Sequence, residues 1–157
     1  MSKQTTKILL AALVVVGVLI LAFVFRSREA SERATVVIDD YRLTVRIADN
    51  PWERRRGLSG LAADEVQAEG MLFIFDQAKV QDFWMKGMSF DLDVIWINDG
   101  KIVSLDQNVS APGPGEMPER MSSRPLLANM VLEFPAGYAE RFGLLPGMPI
   151  RIELPLD

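Results

Sequence analysis

The sequence predicts a mainly β domain, a compact sandwich or barrel with two short helices, preceded by one N-terminal transmembrane helix. Three observations carry that expectation. An 18-residue apolar run, Ile8–Phe25, stands between Lys7 and Arg26. Beyond it, short segments that alternate apolar and polar residues recur between turn residues. Only two stretches in that second part carry helix start and stop signals.

The apolar run covers roughly 27 Å at about 1.5 Å per helical residue, close to the hydrocarbon thickness of a bilayer. A signal peptide is the rival reading, because Lys3 and Lys7 form a plausible basic start. Such peptides have shorter apolar cores and end in small residues. Here the run ends Phe23-Val24-Phe25-Arg26 with no Ala-x-Ala after it. A soluble helix would show a polar face, and this run has none. An uncleaved anchor at 8–25 in the inner membrane is therefore expected, with a cytoplasmic tail at 1–7. Lys3 and Lys7 balance Arg26, Arg28 and Arg33 across the run, so basic residues do not fix the orientation. A short tail before a long domain favours an exported domain.

Residues 26–34 are polar and read as a linker. The folded unit is then 35–157, with 12 Lys/Arg and 19 Asp/Glu, a net charge near −7. That balance argues against nucleic acid and against charge-driven adhesion to an anionic lipid surface. The absence of Cys and His excludes disulfides, Cys/His zinc sites and His-dependent triads. No cofactor or metal is expected, since no calcium-loop or phosphate-loop pattern is present.

The first strand pair is Thr35–Ile38 and Tyr41–Ile47, joined by Asp39-Asp40 as a hairpin, with Arg42, Thr44 and Arg46 toward water. Asn50 as N-cap, Pro51 at the first helical position and Glu53 at the third predict a short helix, ended by Gly57 and Gly60. Met71–Phe75 is apolar at both parities, so both of its faces should be covered. Phe90–Ile97 puts Phe90, Leu92, Val94 and Trp96 on one face, and Asp91, Asp93, Ile95 and Ile97 on the other. Asn98-Asp99-Gly100 turns into Lys101–Leu105. Leu126–Phe134 and Met148–Leu154 complete the strands, and Ala136–Phe142 forms the second helix. Residues 106–125 are rich in Pro and Gly and predict one long loop, either a lid over a site or a loose surface segment.

Several strings resemble the DUF192 family. They are Arg55-Arg56-Gly57-Leu58-Ser59-Gly60, Glu69-Gly70-Met71-Leu72-Phe73-Ile74-Phe75, Phe83-Trp84-Met85-Lys86, Leu92-Asp93-Val94-Ile95 and Val131-Leu132-Glu133-Phe134, with Pro146-Gly147 after them. The match spans roughly residues 36–154. The resemblance implies a compact β-sandwich or jelly-roll-like domain, often behind an export signal or anchor, and no established reaction. Two departures stand out. Ser59 replaces a common Met, and Gly87-Met88 replaces the Asn-Thr that usually follows Phe-Trp-Met-Lys. If that Asn and Thr bind a ligand in the family, this chain lacks those groups.

Candidate site residues follow from chemistry. Arg54, Arg55 and Arg56 could clamp a carboxylate or phosphate, because guanidinium offers a planar fork of donors. The bland alternative is pairing with Asp91, Asp93 or Glu133. Trp84 and Lys86 share one face of a strand and could form a platform for a sugar ring or peptide. Otherwise Trp84 is core with the Lys86 stem over it. Asp93 and Glu133 are acids in apolar strands. Facing one cleft they could act as acid and base on envelope glycans; otherwise they belong to a structural ion-pair network. The expected function is a membrane-anchored binding or accessory module of the cell envelope, with a small envelope ligand or a membrane protein as partner. A glycan hydrolase and a purely structural partner of another membrane protein are the alternatives.

Overall fold

A computed structural model describes residues 13–18, 32–66 and 69–155. The chain divides into two compact units, Met1–Ser31 and Glu32–Asp157. In the first, residues 13–18 are helical and exposed. The rest of the expected anchor, together with the tail at 1–7 and most of the linker, lies outside the described residues. Among the described residues no helix is long and apolar enough to cross a membrane.

The second unit is mainly β. Its strands are β1 (Arg33–Ile38), β2 (Tyr41–Ala48), β3 (Gly70–Lys79), β4 (Asp82–Trp84), β5 (Leu92–Asn98), β6 (Lys101–Val109), β7 (Arg120–Ser122), β8 (Ala128–Pro135) and β9 (Arg151–Glu153). Three short helices accompany them: α1 (Pro51–Arg56), α2 (Ala63–Val66) and α3 (Tyr138–Arg141). Seven strands form one sheet in the order β6-β5-β8-β3-β2-β1-β9, and β4 pairs with β7 in a separate ribbon. The sheet is strongly curled into half a barrel. The expected sandwich or jelly roll is corrected in this respect. Paired sheets of that kind are antiparallel, whereas β2 and β3 run parallel. Parallel neighbours need a crossover of a dozen or more residues. The stretch from Asp49 to Glu69 supplies it and carries α1 and α2.

Each face of the sheet has its own core. The concave side gathers Ala34, Val36 and Ile38 of β1 with Leu72, Ile95, Ile97, Leu132 and Phe134, closed by Ala139 and Leu144 near α3. The other side gathers Met71, Phe73, Val94, Trp96 and Val131 under Leu58, Val66, Met85 and Met121. β3 and β5 therefore feed both cores by parity, as their sequences lead one to expect. Burial of each large side chain contributes about 1.5–3 kcal/mol. Gly70 lets β3 approach β8, because a Cβ there would stand 2.4 Å from the Glu133 carbonyl oxygen.

The hairpin at Asp39-Asp40 forms in register, with Ile38 opposite Tyr41, and Asp39 takes a left-handed φ of 48°. The Asn50 side chain accepts from the amides of Trp52 at 3.1 Å and Glu53 at 3.0 Å, which caps α1 as expected. α2 is an addition to the two expected helices. At four residues it is too short to show helical periodicity, and its first turn is held by the Ala62 amide donating to Glu65 Oε2 at 2.7 Å. The expected loop at 106–125 is also corrected. β6 runs on to Val109, and Arg120–Ser122 pairs with β4, leaving 110–119 irregular.

The sheet's two rims are joined near the end of the chain. The Gly147 amide donates to Ile102 O at 2.7 Å, Ile102 N to Met148 O at 3.0 Å and Ile150 N to Gly100 O at 2.8 Å. Immediately afterwards Arg151–Glu153 pairs with β1. One short stretch thus bonds to β6 at one rim and becomes β9 at the other.

Candidate functional site

The walls of the site are the C-terminal end of α1 and the ribbon strand β4. Gly57 ends α1 with a φ of 50° and its amide on Glu53 O at 2.8 Å. The chain then turns toward the segment after β4. Ser59 Oγ donates to Lys86 O at 2.7 Å, and the Gly60 amide to Gly87 O at 2.9 Å. These bonds hold the arginine turn against the Trp84–Met88 segment. Between them lies a cleft of ≈ 290 Å³, counting the part open to solvent. Arg54, Arg55, Arg56, Trp84 and Glu133 all line it, with Phe73 and Phe83 among the apolar lining. Its enclosed interior is only ≈ 30 Å³, room for one or two waters or a single hydroxyl, so anything larger would have to lie across its open mouth.

The three arginines do different things. Arg54 donates to Ile74 O at 2.8 Å and also to Asp49 O, and its guanidinium lies 5.3 Å from the Phe75 ring centre. It is a staple between the α1 entry and β3. Arg56 stacks on Trp52 at 5.4 Å. Arg55 is exposed and makes no hydrogen bond or ion pair among the described residues. The expected pairing with Asp91, Asp93 or Glu133 does not occur.

Trp84 is 45% exposed, so it is not core. Lys86 Nζ lies 4.9 Å and Arg120 Cζ 5.3 Å from its ring centre. Lys86 joins Trp84 as expected, but not by strand parity: β4 ends at Trp84, and Lys86 stands in the turn that follows. Arg120 is an addition, brought opposite Trp84 by the β4–β7 register. A lone Arg after a Pro/Gly-rich stretch carries no sequence signal of that pairing. Phe83 turns inward and meets Phe73, Phe75 and Trp96 edge-on at 4.9, 6.4 and 5.5 Å. No residue of 106–125 lines the cleft; that segment reaches it only through the Arg120 contact with Trp84.

The unit's ion pairs lie elsewhere. Among the described residues they join Arg33 and Arg46 to Glu69, and Arg42 and Arg151 to Glu153. Arg54, Arg55, Arg56, Lys86 and Arg120 have no carboxylate within ion-pair distance among the described residues. Three cations that line the cleft and two that lie over Trp84 at its edge thus lack a carboxylate counterion in an acidic unit.

The two acids part company. Asp93 stands across from Phe134, and Glu133 across from Val94 and Met71. Residues directly opposite share a face, so Asp93 points to the concave core and Glu133 to the other side. Asp93 Oδ1 accepts from the Asn108 amide at 2.9 Å, and Oδ2 from the Ala139 amide at 2.8 Å. It ties β6 to the first turn of α3 and is structural. Glu133 is 5% exposed and reaches the cleft with no hydrogen bond or cation partner among the described residues. Burial pushes its pKa up from 4.5 to about 8. No group of His, Cys, Asp and Glu suited to a metal ion occurs among the described residues.

The folded unit is similar to solved structures. One, from Sinorhizobium meliloti 1021 and described as a "putative transcription regulator", shares 31% identity at a TM-score of 0.62 over 78% of this chain and 93% of that one. A protein of unknown function from Novosphingobium aromaticivorans DSM 12444 shares 27% identity at a TM-score of 0.59, over 76% and 83%. Comparison with curated proteins gives no match. Residues 34–152 match the family DUF192, described as "Uncharacterized ACR, COG1430", and the chain belongs to that family.

Proposed function

We propose that the protein is a single-pass, membrane-anchored binding module of the cell envelope whose folded unit takes a small anionic ligand in the cleft between α1 and β4. One observation carries the reading of the ligand. Arg55 and Arg56 line the cleft together with the half-exposed Trp84, and Lys86 and Arg120 lie over the Trp84 ring, all four without a carboxylate partner among the described residues. Charges left unpaired at a cleft mouth attract an anion, and guanidinium gives that attraction a direction. Glu133 and Asp93 on opposite faces of the sheet give the two-carboxylate hydrolysis no common cleft. The name of the Sinorhizobium meliloti protein is not carried over, because a unit with net charge near −7 repels a nucleic-acid backbone everywhere but at this small site. The apolar run at 8–25 supports the anchor, and a short tail followed by a long domain supports export.

A thermal-shift series on the full chain in detergent tests the ligand class, with phosphate, succinate and glucuronate as probes. Saturation at roughly 100 times Kd adds about 2.7 kcal/mol of stability. At least one anion is expected to raise Tm in wild type and to lose that effect in R55A. No shift with any anion would overturn the reading. Detergent-free recovery of the full chain in the soluble fraction would overturn the anchor. Protection of the folded unit from external protease in cells with a permeabilised outer layer would overturn its placement outside.

A further inference from the structure

Glu133 has no structural task that accounts for it. It projects from the middle of β8 into the apolar core beneath α1, between Met71 and Val94. It is 5% exposed, yet it lines the same cleft as Arg55 and Trp84. Its carboxyl takes no hydrogen bond and meets no cation among the described residues. Among the described residues the wholly buried side-chain atoms without a partner are Asn98 Oδ1 and Asn129 Oδ1; the Glu133 carboxyl keeps a narrow opening to the cleft, so its partner is water or a ligand group that displaces it.

We infer that Glu133 is the polar floor of the cleft and that the ligand is a small acidic sugar, its anionic group at Arg55 and Arg56, a ring hydroxyl at Glu133, and its ring against Trp84. The inference rests on the anion-binding reading and goes beyond it by fixing a second recognition point. Burial keeps the Glu133 carboxyl neutral at pH 7. A neutral carboxyl both donates and accepts, and so does a hydroxyl, so the two groups satisfy one another. An ammonium group offers only donors and would call for an ionised carboxylate. The exposed indole at the mouth supplies a flat apolar surface with a polar edge, suited to the CH face of a ring. The enclosed interior of ≈ 30 Å³ admits a hydroxyl but not a ring, so the ring lies at the mouth, against Trp84. A site built to bond a hydroxyl discriminates strongly against an analogue that lacks it.

The test measures Kd by calorimetry on the full chain in detergent with three probes. Glucuronate carries charge, ring and hydroxyls; cyclohexanecarboxylate carries charge and ring only; methyl glucoside carries ring and hydroxyls only. Glucuronate is expected to bind at least about tenfold more tightly than either. E133M should lose about tenfold or more for glucuronate and leave cyclohexanecarboxylate unchanged. E133Q, which keeps a donor and an acceptor, should hold glucuronate within about threefold of wild type. Equal affinity for glucuronate and cyclohexanecarboxylate, or glucuronate binding unaffected in E133M, would overturn the role of Glu133. If R55A still weakens those ligands, the anion reading stands without it. Binding of no anion, or binding indifferent to R55A, overturns both together.

Discussion

Asp93 and Glu133 occupy neighbouring strands, one register step apart, and point to opposite faces of the sheet. The separation explains why two buried acids have opposite characters. Asp93 has both oxygens on backbone amides, so its burial is compensated. Glu133 has no such partner among the described residues, and desolvation raises its pKa to about 8.

Asp93→Ala removes two charge-assisted hydrogen bonds and leaves the buried Ala139 amide unsatisfied. A loss of about 2–4 kcal/mol is expected in urea unfolding. Ligand affinity in variants that stay folded should be unchanged, because Asp93 is on the far side of the sheet. A variant within about 0.5 kcal/mol of wild type would contradict the structural role.

Glu133 makes stability depend on pH with a defined sign. Below pH 4.5 the side chain is protonated both folded and unfolded, so it has no effect. Between 4.5 and about 8 the unfolded chain ionises while the folded one stays protonated. The folded state then holds the extra proton, and stability falls by up to about 1.4 kcal/mol per pH unit as pH rises. The fall ends near pH 8. Glu133→Met should raise Tm most at pH 8, least at pH 5, and flatten the curve between them. Parallel Tm profiles for the two proteins would refute this.

Neighbouring aromatics should behave differently. Trp84 is 45% exposed, and Trp84→Ala should cost under about 1 kcal/mol while abolishing the anion-induced shift. Phe83 meets three core rings, and Phe83→Ala should cost about 2–4 kcal/mol. Equilibrium denaturation of both variants decides, and a reversed order would place Trp84 in the core.

The arginine run divides in the same way. Arg54→Ala loses two bonds to backbone carbonyls and a ring contact, at an expected cost of about 1–3 kcal/mol. Arg55→Ala should stay within about 0.5 kcal/mol of wild type and lose anion affinity. Added salt should weaken the wild-type affinity, because the cations are near solvent. Salt-independent affinity would argue against a charged site.

Much of the β framework could be read from local pattern. The Asp39-Asp40 hairpin, the Asn50 cap and the two-sided burial of β3 and β5 each rest on neighbours within a few residues. Long-range relationships could not. Parity told which way Asp93 points within its own strand, and likewise Glu133, but their orientation relative to one another depends on the β5–β8 register. β7 is three residues long and shows its strand character only beside β4, so Arg120 went unseen. The parallel β2–β3 pair had a usable signal, the capped helical segment after Asn50 in a long stretch between two strands, which is the mark of a crossover. Trp84 and Lys86 do meet, but through the turn after β4 rather than through strand parity.

The stretch from Gly147 to Glu153 works as a buckle. It fastens the turn before β6 on one rim and lies along β1 on the other, so the curvature of the whole sheet is drawn tight by a handful of residues far along the chain. Trimming the polypeptide from Gly147 onward would free two borders at once, exposing unpaired backbone along β1 and taking Ile150 out of the concave interior. Sticky, self-associating protein, rather than a slightly shorter monomer, is what such a deletion should yield.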